Sequence, residues 1–177
     1  MRAFSVACLI VVLAARAEAQ RVEYMHVAVP GYQRVVKLDT AVIWTRVDTP
    51  APETYHALRL ALEELKIPVV LADSAHFFIY NATVRMSRRI SGEDMTWAFR
   101  CGQSPTGIDY ATSARMTIAY AIVVDTLPEG ESRVGAAFVA GAQPVDGASR
   151  APLPCETTGA LEQRLIEVAR LVPVTGK

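Results

Sequence analysis

Two long runs of alternating residues, separated by "LPEGES", constrain this chain more than any other feature. In the first, Met116, Ile118, Tyr120, Ile122 and Val124 alternate with Thr117, Ala119, Ala121 and Val123. In the second, Val134, Ala136, Phe138, Ala140 and Ala142 alternate with Arg133, Gly135, Ala137 and Val139. Successive side chains of a β-strand point to opposite faces, so a period of two predicts two long strands joined by a turn. One face is large and apolar and belongs to a core. The other is built of small residues, which lets something approach closely: a helix, another chain or a ligand. Compositional drift also accounts for dense alanine, a residue of weak β-propensity.

Other segments supply the layers that such a sheet needs. "TAVIWTRV", residues 40–47, is β-branched and aromatic and reads as a strand. Asp48-Thr49-Pro50 then looks like a helix start, with Thr49 as cap and Pro50 at the first helical position. Tyr55, Leu58, Ala61, Leu62 and Leu65 recur at three- and four-residue steps, predicting one amphipathic helix to about Lys66, stopped by Pro68. "VVLAD", residues 69–73, is a short strand. From His76 to Met86 the period is two again, with Phe78, Tyr80, Ala82, Val84 and Met86 on one face and Phe77, Ile79, Asn81, Thr83 and Arg85 on the other. "SRRISGED" reads as a polar turn, "MTWAFRC" as a strand and "GQSPTGIDYATSA" as a long loop. Pro30-Gly31 marks a turn in residues 20–39, an arm or strand ahead of the main domain. At the other end, Leu161, Leu165, Val168 and Val172 form the stripe of a closing helix, with Glu162, Arg164, Glu167 and Arg170 outward. Thr157 or Thr158 offers its side-chain cap.

The first nineteen residues have the parts of a secretory signal: Arg2, an apolar stretch over residues 3–15, and the small-x-small site Ala17-Glu18-Ala19. That stretch is shorter than the roughly 20 residues of a spanning helix. Cleavage would leave 158 residues of net charge −1 and only two cysteines, Cys101 and Cys155. In an oxidising compartment such a pair reads first as a disulfide, worth on the order of 4 kcal/mol for this loop length. A reactive thiol or half of a metal site are the competing readings, and neither cysteine has a histidine nearby in sequence. A near-neutral chain carries no footprint for nucleic acid. The expected organisation is therefore a signal peptide over 1–19, an arm over 20–39, a single domain over 40–173 and a tail over 174–177. The expected location is periplasmic or secreted.

The order of elements, one strand, a helix, several antiparallel strands and a C-terminal helix, predicts an α+β domain: a curved antiparallel sheet with helices packed on one face, helix-grip-like, stapled by one disulfide. Over residues 40–172 this order resembles the globular domains of the BamC lipoprotein of the outer-membrane assembly machinery, although this chain lacks that lipoprotein's lipidated cysteine at its mature start. "FRCGQSPTG" followed by "PCETTGALEQRL", within residues 99–165, is similar to a pattern in uncharacterised exported bacterial proteins. That second resemblance implies no activity.

Constellations for chemistry are sparse. His26, His56 and His76 have no partner at a metal-ligand spacing, so no metal or cofactor is expected. No Gly-x-Ser-x-Gly elbow occurs. Gly102 and Gly107 frame a loop, but Ile108-Asp109 stands where a phosphate cradle needs Lys followed by Ser or Thr. Asn81-Ala82-Thr83 matches a glycosylation sequon inside a strand and reads as chance. Arg85, Arg88 and Arg89 make a basic patch, which reads as a solvated hairpin or as contact with an acidic partner. With Phe77 and Ile79 on the same outer face, these five residues form the candidate interaction patch. The expectation is a non-enzymatic exported domain that binds a protein partner, as an accessory subunit of an envelope complex. The alternative is a small carrier of a hydrophobic ligand in a pocket between sheet and helix.

Overall fold

The computed structural model describes residues 25–145 and 151–171. The expected signal peptide and the last residues of the chain lie outside them. Short strands β1 (His26–Val27) and β2 (Val36–Lys37) pair with each other and lead through a 3-10 turn to β3 (Ile43–Val47). Helix α1 (Ala51–Glu64) is followed by β4 (Leu71–Asp73) and β5 (Phe78–Ser87). A small hairpin, β6 (Arg89–Ile90) and β7 (Glu93–Asp94), turns through Ser91 and Gly92. Both have positive φ, the backbone that a two-residue type I′ turn requires. Helical turn α2 (Met95–Ala98), strand β8 (Phe99–Arg100) and helical turn α3 (Tyr110–Ser113) precede the long pair β9 (Arg115–Thr126) and β10 (Ser132–Gln143). β11 (Leu153–Thr157) and α4 (Ala160–Leu171) close the chain.

The main sheet has seven antiparallel strands in the order β4-β5-β9-β10-β11-β8, with β3 on β10 beside β11. The two runs of alternation are its centre: β9 and β10 pair in unbroken register from Ser132 opposite Thr126 to Gln143 opposite Arg115. Their larger residues, including Ile118, Tyr120, Ile122, Val134 and Phe138, face α1 and α4 and are almost wholly buried. Tyr120 stacks on Phe138 at 5.1 Å between ring centroids, directly across the strands. Leu58, Ala61 and Leu62 of α1 and Leu161, Leu165 and Val168 of α4 complete that core. The fold is thus the α+β architecture expected, with both long helices on one face.

The small-residue face is covered by the chain's own arm. Val27, Val29 and Leu38 are buried against Ala119, Ala121, Val123, Ala137 and Val139. The backbone comes so close that a Cβ on Gly141 would stand 1.8 Å from the Pro30 carbonyl oxygen. Residues that read as an arm ahead of the domain therefore form its second layer.

Four local expectations need correction. Within 76–86 the alternation is broken by a bulge: Asn81 pairs with Tyr120, but Val84, three residues on, pairs with Ile118, two residues on. One extra residue turns the following side chains over. Phe78 and Tyr80 consequently lie with the arm, whereas Val84 and Met86 lie on the helix side beside Ile79. Met95–Ala98 is a helical turn, and only Phe99–Arg100 remains a strand. Thr49 does not cap α1; its hydroxyl meets that of Thr54 instead. Glu162 points inward.

That last reversal has a cause and a consequence. Thr157 Oγ1 donates to Glu162 Oε1 at 2.9 Å, drawing the carboxylate under the first turn of α4, where it is 3% exposed. Burial raises its pKa above the usual carboxylate value, and the hydrogen bonds from its own backbone N–H and from Thr157 offset this only in part. The folded state therefore holds this proton more tightly than the unfolded state. This group's contribution to stability is full below the ordinary glutamate pKa and is lost as pH rises through the raised value. Glu162→Gln should stabilise the protein at pH 7, and urea titrations at successive pH values should show the gain vanishing below about pH 4, where Glu162 is protonated in both states.

Tyr55 presents a smaller anomaly. Its ring packs on Phe77, centroids 5.9 Å apart, but its buried hydroxyl has no hydrogen-bond partner among the described residues. An unsatisfied buried hydroxyl costs about 1–3 kcal/mol. Tyr55→Phe should accordingly raise the urea midpoint by about 1 kcal/mol of stability; a clear loss would reveal a buried water serving that hydroxyl.

Candidate functional site

The predicted cysteine pair is a disulfide. Cys101 and Cys155 are joined at an S–S distance of 2.02 Å, and both are buried. Cys101 directly follows β8 and Cys155 sits within β11, strands held together by only two residue pairs, Glu156 with Arg100 and Thr157 with Phe99. Thr158 Oγ1 adds a bond to the Trp97 carbonyl at 2.5 Å. The bridge is a structural staple at the start of the closing helix.

The residues expected as one interaction patch do not share a surface. Ile79 is fully buried under α1 because it lies on the helix side of β5. Phe77 is half-buried on Tyr55. Arg85, Arg88 and Arg89 are exposed, and Arg89 Nε lies 3.7 Å from Asp94 across the small hairpin. The bulge between Asn81 and Val84 separates the inward Ile79 from the outward Arg85, and Phe77, half-buried, lies just ahead of β5.

Other candidates resolve locally. Asn81 is buried and its Nδ2 donates to the Pro68 carbonyl at 2.8 Å, an oxygen that also accepts from the Tyr120 hydroxyl at 2.9 Å. The sequon is thus committed to structure. His76 Nδ1 lies 2.7 Å from Asp73 Oδ2, and this hydrogen bond holds the Asp73 carboxyl below its usual range. Among the described residues no three His, Cys, Asp or Glu side chains gather as a metal site. The loop between Gly102 and Gly107 is closed on itself by Ser104, whose hydroxyl meets Thr106 and accepts from Ile108 N.

Two features whose residues sequence reasoning did not name as a site stand forward instead. The first is β3, which among the described residues pairs only with β10. Ile43 and Trp44 are 41% and 46% exposed on it. Trp44 lies directly opposite Gly135, where any Cβ would fall 2.8 Å from the indole, so the ring rests on bare backbone. The Arg133 guanidinium stands 4.5 Å from the ring centroid and is itself held by Asp125 at 2.9 Å. Arg46 pairs with Glu131. The indole is thus fixed in place at the sheet edge while half of it faces solvent. A tryptophan inside a β-branched run was visible in sequence; the glycine that lets it lie flat was visible only once the two strands were known to pair.

The second is a cleft of about 390 Å³ where the start of α1, the end of α4 and the ends of β3 and β10 converge. Val47, Ala57, Leu58, Val134, Ile166 and Ala169 form its apolar wall, and Asp48, Thr49, Glu53 and Arg170 its polar parts. Thr54 lies at its base. Its Oγ1 is 2.6 Å from Thr49 Oγ1 and 2.9 Å from the fully buried Ser132 Oγ.

No protein-family model matches the chain, and no curated protein matches its sequence. A solved structure of a DUF4468 family protein from Bacteroides ovatus ATCC 8483 is similar at 15% identity, covering 87% of this chain and 96% of that one, with a TM-score of 0.36. A likeness at that level carries no functional argument. No described helix is long and apolar enough to cross a membrane.

Proposed function

We propose that this chain is an exported, non-enzymatic binding domain, an accessory subunit of a bacterial envelope complex that receives an extended segment of a partner protein along the open side of β3. The observation that carries this reading is the exposure of Ile43 and Trp44 on a strand that, among the described residues, pairs on one side. Sheet edges are ordinarily guarded by charge, proline or a covering element, because their free N–H and C=O groups invite another strand. On β3 the one charged residue, Arg46, is occupied by Glu131. Strand addition gains affinity from main-chain hydrogen bonds and specificity from alternating side chains, and a rigid tryptophan is a favoured anchor. Native mass spectrometry of the protein gently extracted from its source envelope tests this. The wild-type chain should carry a stoichiometric protein partner that Trp44→Lys and Ile43→Lys, each still folded by circular dichroism, both release. A wild-type chain that travels alone, or a partner kept by both variants, overturns the reading.

A second reading, a carrier of a small hydrophobic ligand, is favoured by the cleft between α1, α4 and the sheet. Its volume of about 390 Å³ falls within the roughly 300–1,000 Å³ of small-molecule sites.

A further inference from the structure

We infer that the segment received on β3 is an uncharged, β-branched stretch that runs antiparallel to it, keyed to the main chain of Trp44 and needing no amide hydrogen opposite Arg46. The inference rests on the partner reading and deepens it by giving the segment's direction, register and chemistry. It follows from which main-chain groups of β3 point outward. At the turn between β9 and β10, Leu127 N–H donates to the Glu131 carbonyl at 2.9 Å. In an antiparallel pair, positions that exchange hydrogen bonds alternate with positions that do not. With Thr126 opposite Ser132, the residues of β10 bonded toward β9 are then Arg133, Gly135 and Ala137. Ser132, Val134 and Ala136 turn their N–H and C=O groups the other way, to Val47, Thr45 and Ile43 of β3. Trp44 and Arg46 therefore present theirs to the open side. Two contacts agree with this count. Val124, opposite Val134, donates its N–H away from β10, to the Phe77 carbonyl at 3.0 Å. The Arg46 carbonyl accepts from Arg170 Nη2 at 3.4 Å, a side chain outside the sheet.

The open side thus offers both main-chain groups of Trp44 and the N–H of Arg46, none with another partner among the described residues. The Arg46 carbonyl is already met. An antiparallel segment, the direction of every pair in this sheet, exchanges two bonds between one of its residues and Trp44. The residue two places earlier accepts from Arg46 N–H and has no carbonyl waiting for its own hydrogen. Side chains set the rest. On the Trp44 face Arg46 is paired with Glu131, and Arg133 with Asp125 at 2.9 Å. Both charges of each sign are used there, so a charged residue opposite Trp44 would lose water without gaining a partner. A β-branched one gains a cross-strand contact with the indole. The next residue faces Ile43, an aliphatic side chain that is 41% exposed.

The probe is the acetylated, amidated tetrapeptide Thr-Thr-Val-Ile, whose residues would lie opposite Arg46, Thr45, Trp44 and Ile43 in that order. It is titrated into the oxidised protein to about 10 mM, a range that reaches weak binding, and should shift the backbone amides of Trp44 and Arg46 most. N-methylation of the valine, which removes a bond to Trp44, should weaken binding about tenfold. N-methylation of the isoleucine, whose N–H faces away from β3, should leave it within about threefold. Proline in the first position should bind as well as threonine. Arg170→Ala, which bares the Arg46 carbonyl, should then favour threonine by about threefold or more. Lysine and glutamate in place of valine should both weaken binding. Equal loss from the two N-methylations, or a gain from either sign of charge, overturns the register or the chemistry. So does the absence of shifts at Trp44 and Arg46. A change of those amides on concentrating the protein alone also overturns it, by making a second copy of this chain the occupant. The partner reading is tested separately: a native mass spectrum that keeps a partner dependent on Trp44 leaves that reading standing when the peptides fail.

Discussion

Replacing both cysteines, Cys101→Ala with Cys155→Ala, should lower the unfolding free energy by about 4 kcal/mol, the largest stability effect expected from any local change in this protein. The bridge spans 54 residues in sequence, and cross-linking a loop of that size removes much of the freedom of the unfolded chain. The folded state has little to replace it. β8 and β11 share two residue pairs, Thr158 adds a bond to the Trp97 carbonyl, and the Tyr32 hydroxyl donates to the Cys155 carbonyl. Alanine avoids stranding a hydroxyl at two buried positions. For a domain of this size the loss corresponds to a fall in midpoint temperature of roughly 8–16 °C. Urea unfolding of the oxidised, reduced and double-alanine proteins measures it. A difference below about 1 kcal/mol would mean that the unfolded chain keeps this loop compact without the bond.

The second large effect is expected at Gly141. Its place in a run of small residues suggests an innocuous site for alanine, yet a Cβ there would lie 1.8 Å from the Pro30 oxygen and 2.8 Å from the Pro30 carbonyl carbon. These are backbone atoms that no rotamer change can move aside. Gly141→Ala should therefore lift the arm off the sheet and uncover Val27 and Val29, at a cost of about 3 kcal/mol, the upper range for overpacking. Hydrogen exchange gives the distinguishing readout. Amides of residues 25–42 should lose protection while those of β9 and the helices keep theirs. Equal loss across the whole domain would show that the arm and the sheet unfold as one unit.

Much of the candidate chemistry was illegible in the sequence for the same reason that the arm was. Thr49, Thr54 and Ser132 are ordinary residues until α1 is laid across the end of β10, and only then do three hydroxyls share two bonds. Trp44 and Gly135 lie ninety-one positions apart and acquire meaning as a pair through register. Ile79 and Arg85 were assigned to one face because period-two reasoning assumes an unbroken pleat, and a single-residue bulge carries no residue-type signature.

What the sequence determined by itself was the local, periodic part of the protein. Alternation fixed β9, β10 and their large inner faces, helical spacing fixed α1 and α4, and Cys101 and Cys155 announced their bond. Each depends on a repeat or a chemistry that is complete within a few residues. Tertiary structure decided what covers the alanine-rich face, where β5 turns over, why Glu162 goes inward and how the cleft is lined. Those outcomes depend on contacts between segments far apart in the chain, where burial and the demand that every buried polar group find a partner outweigh local preference.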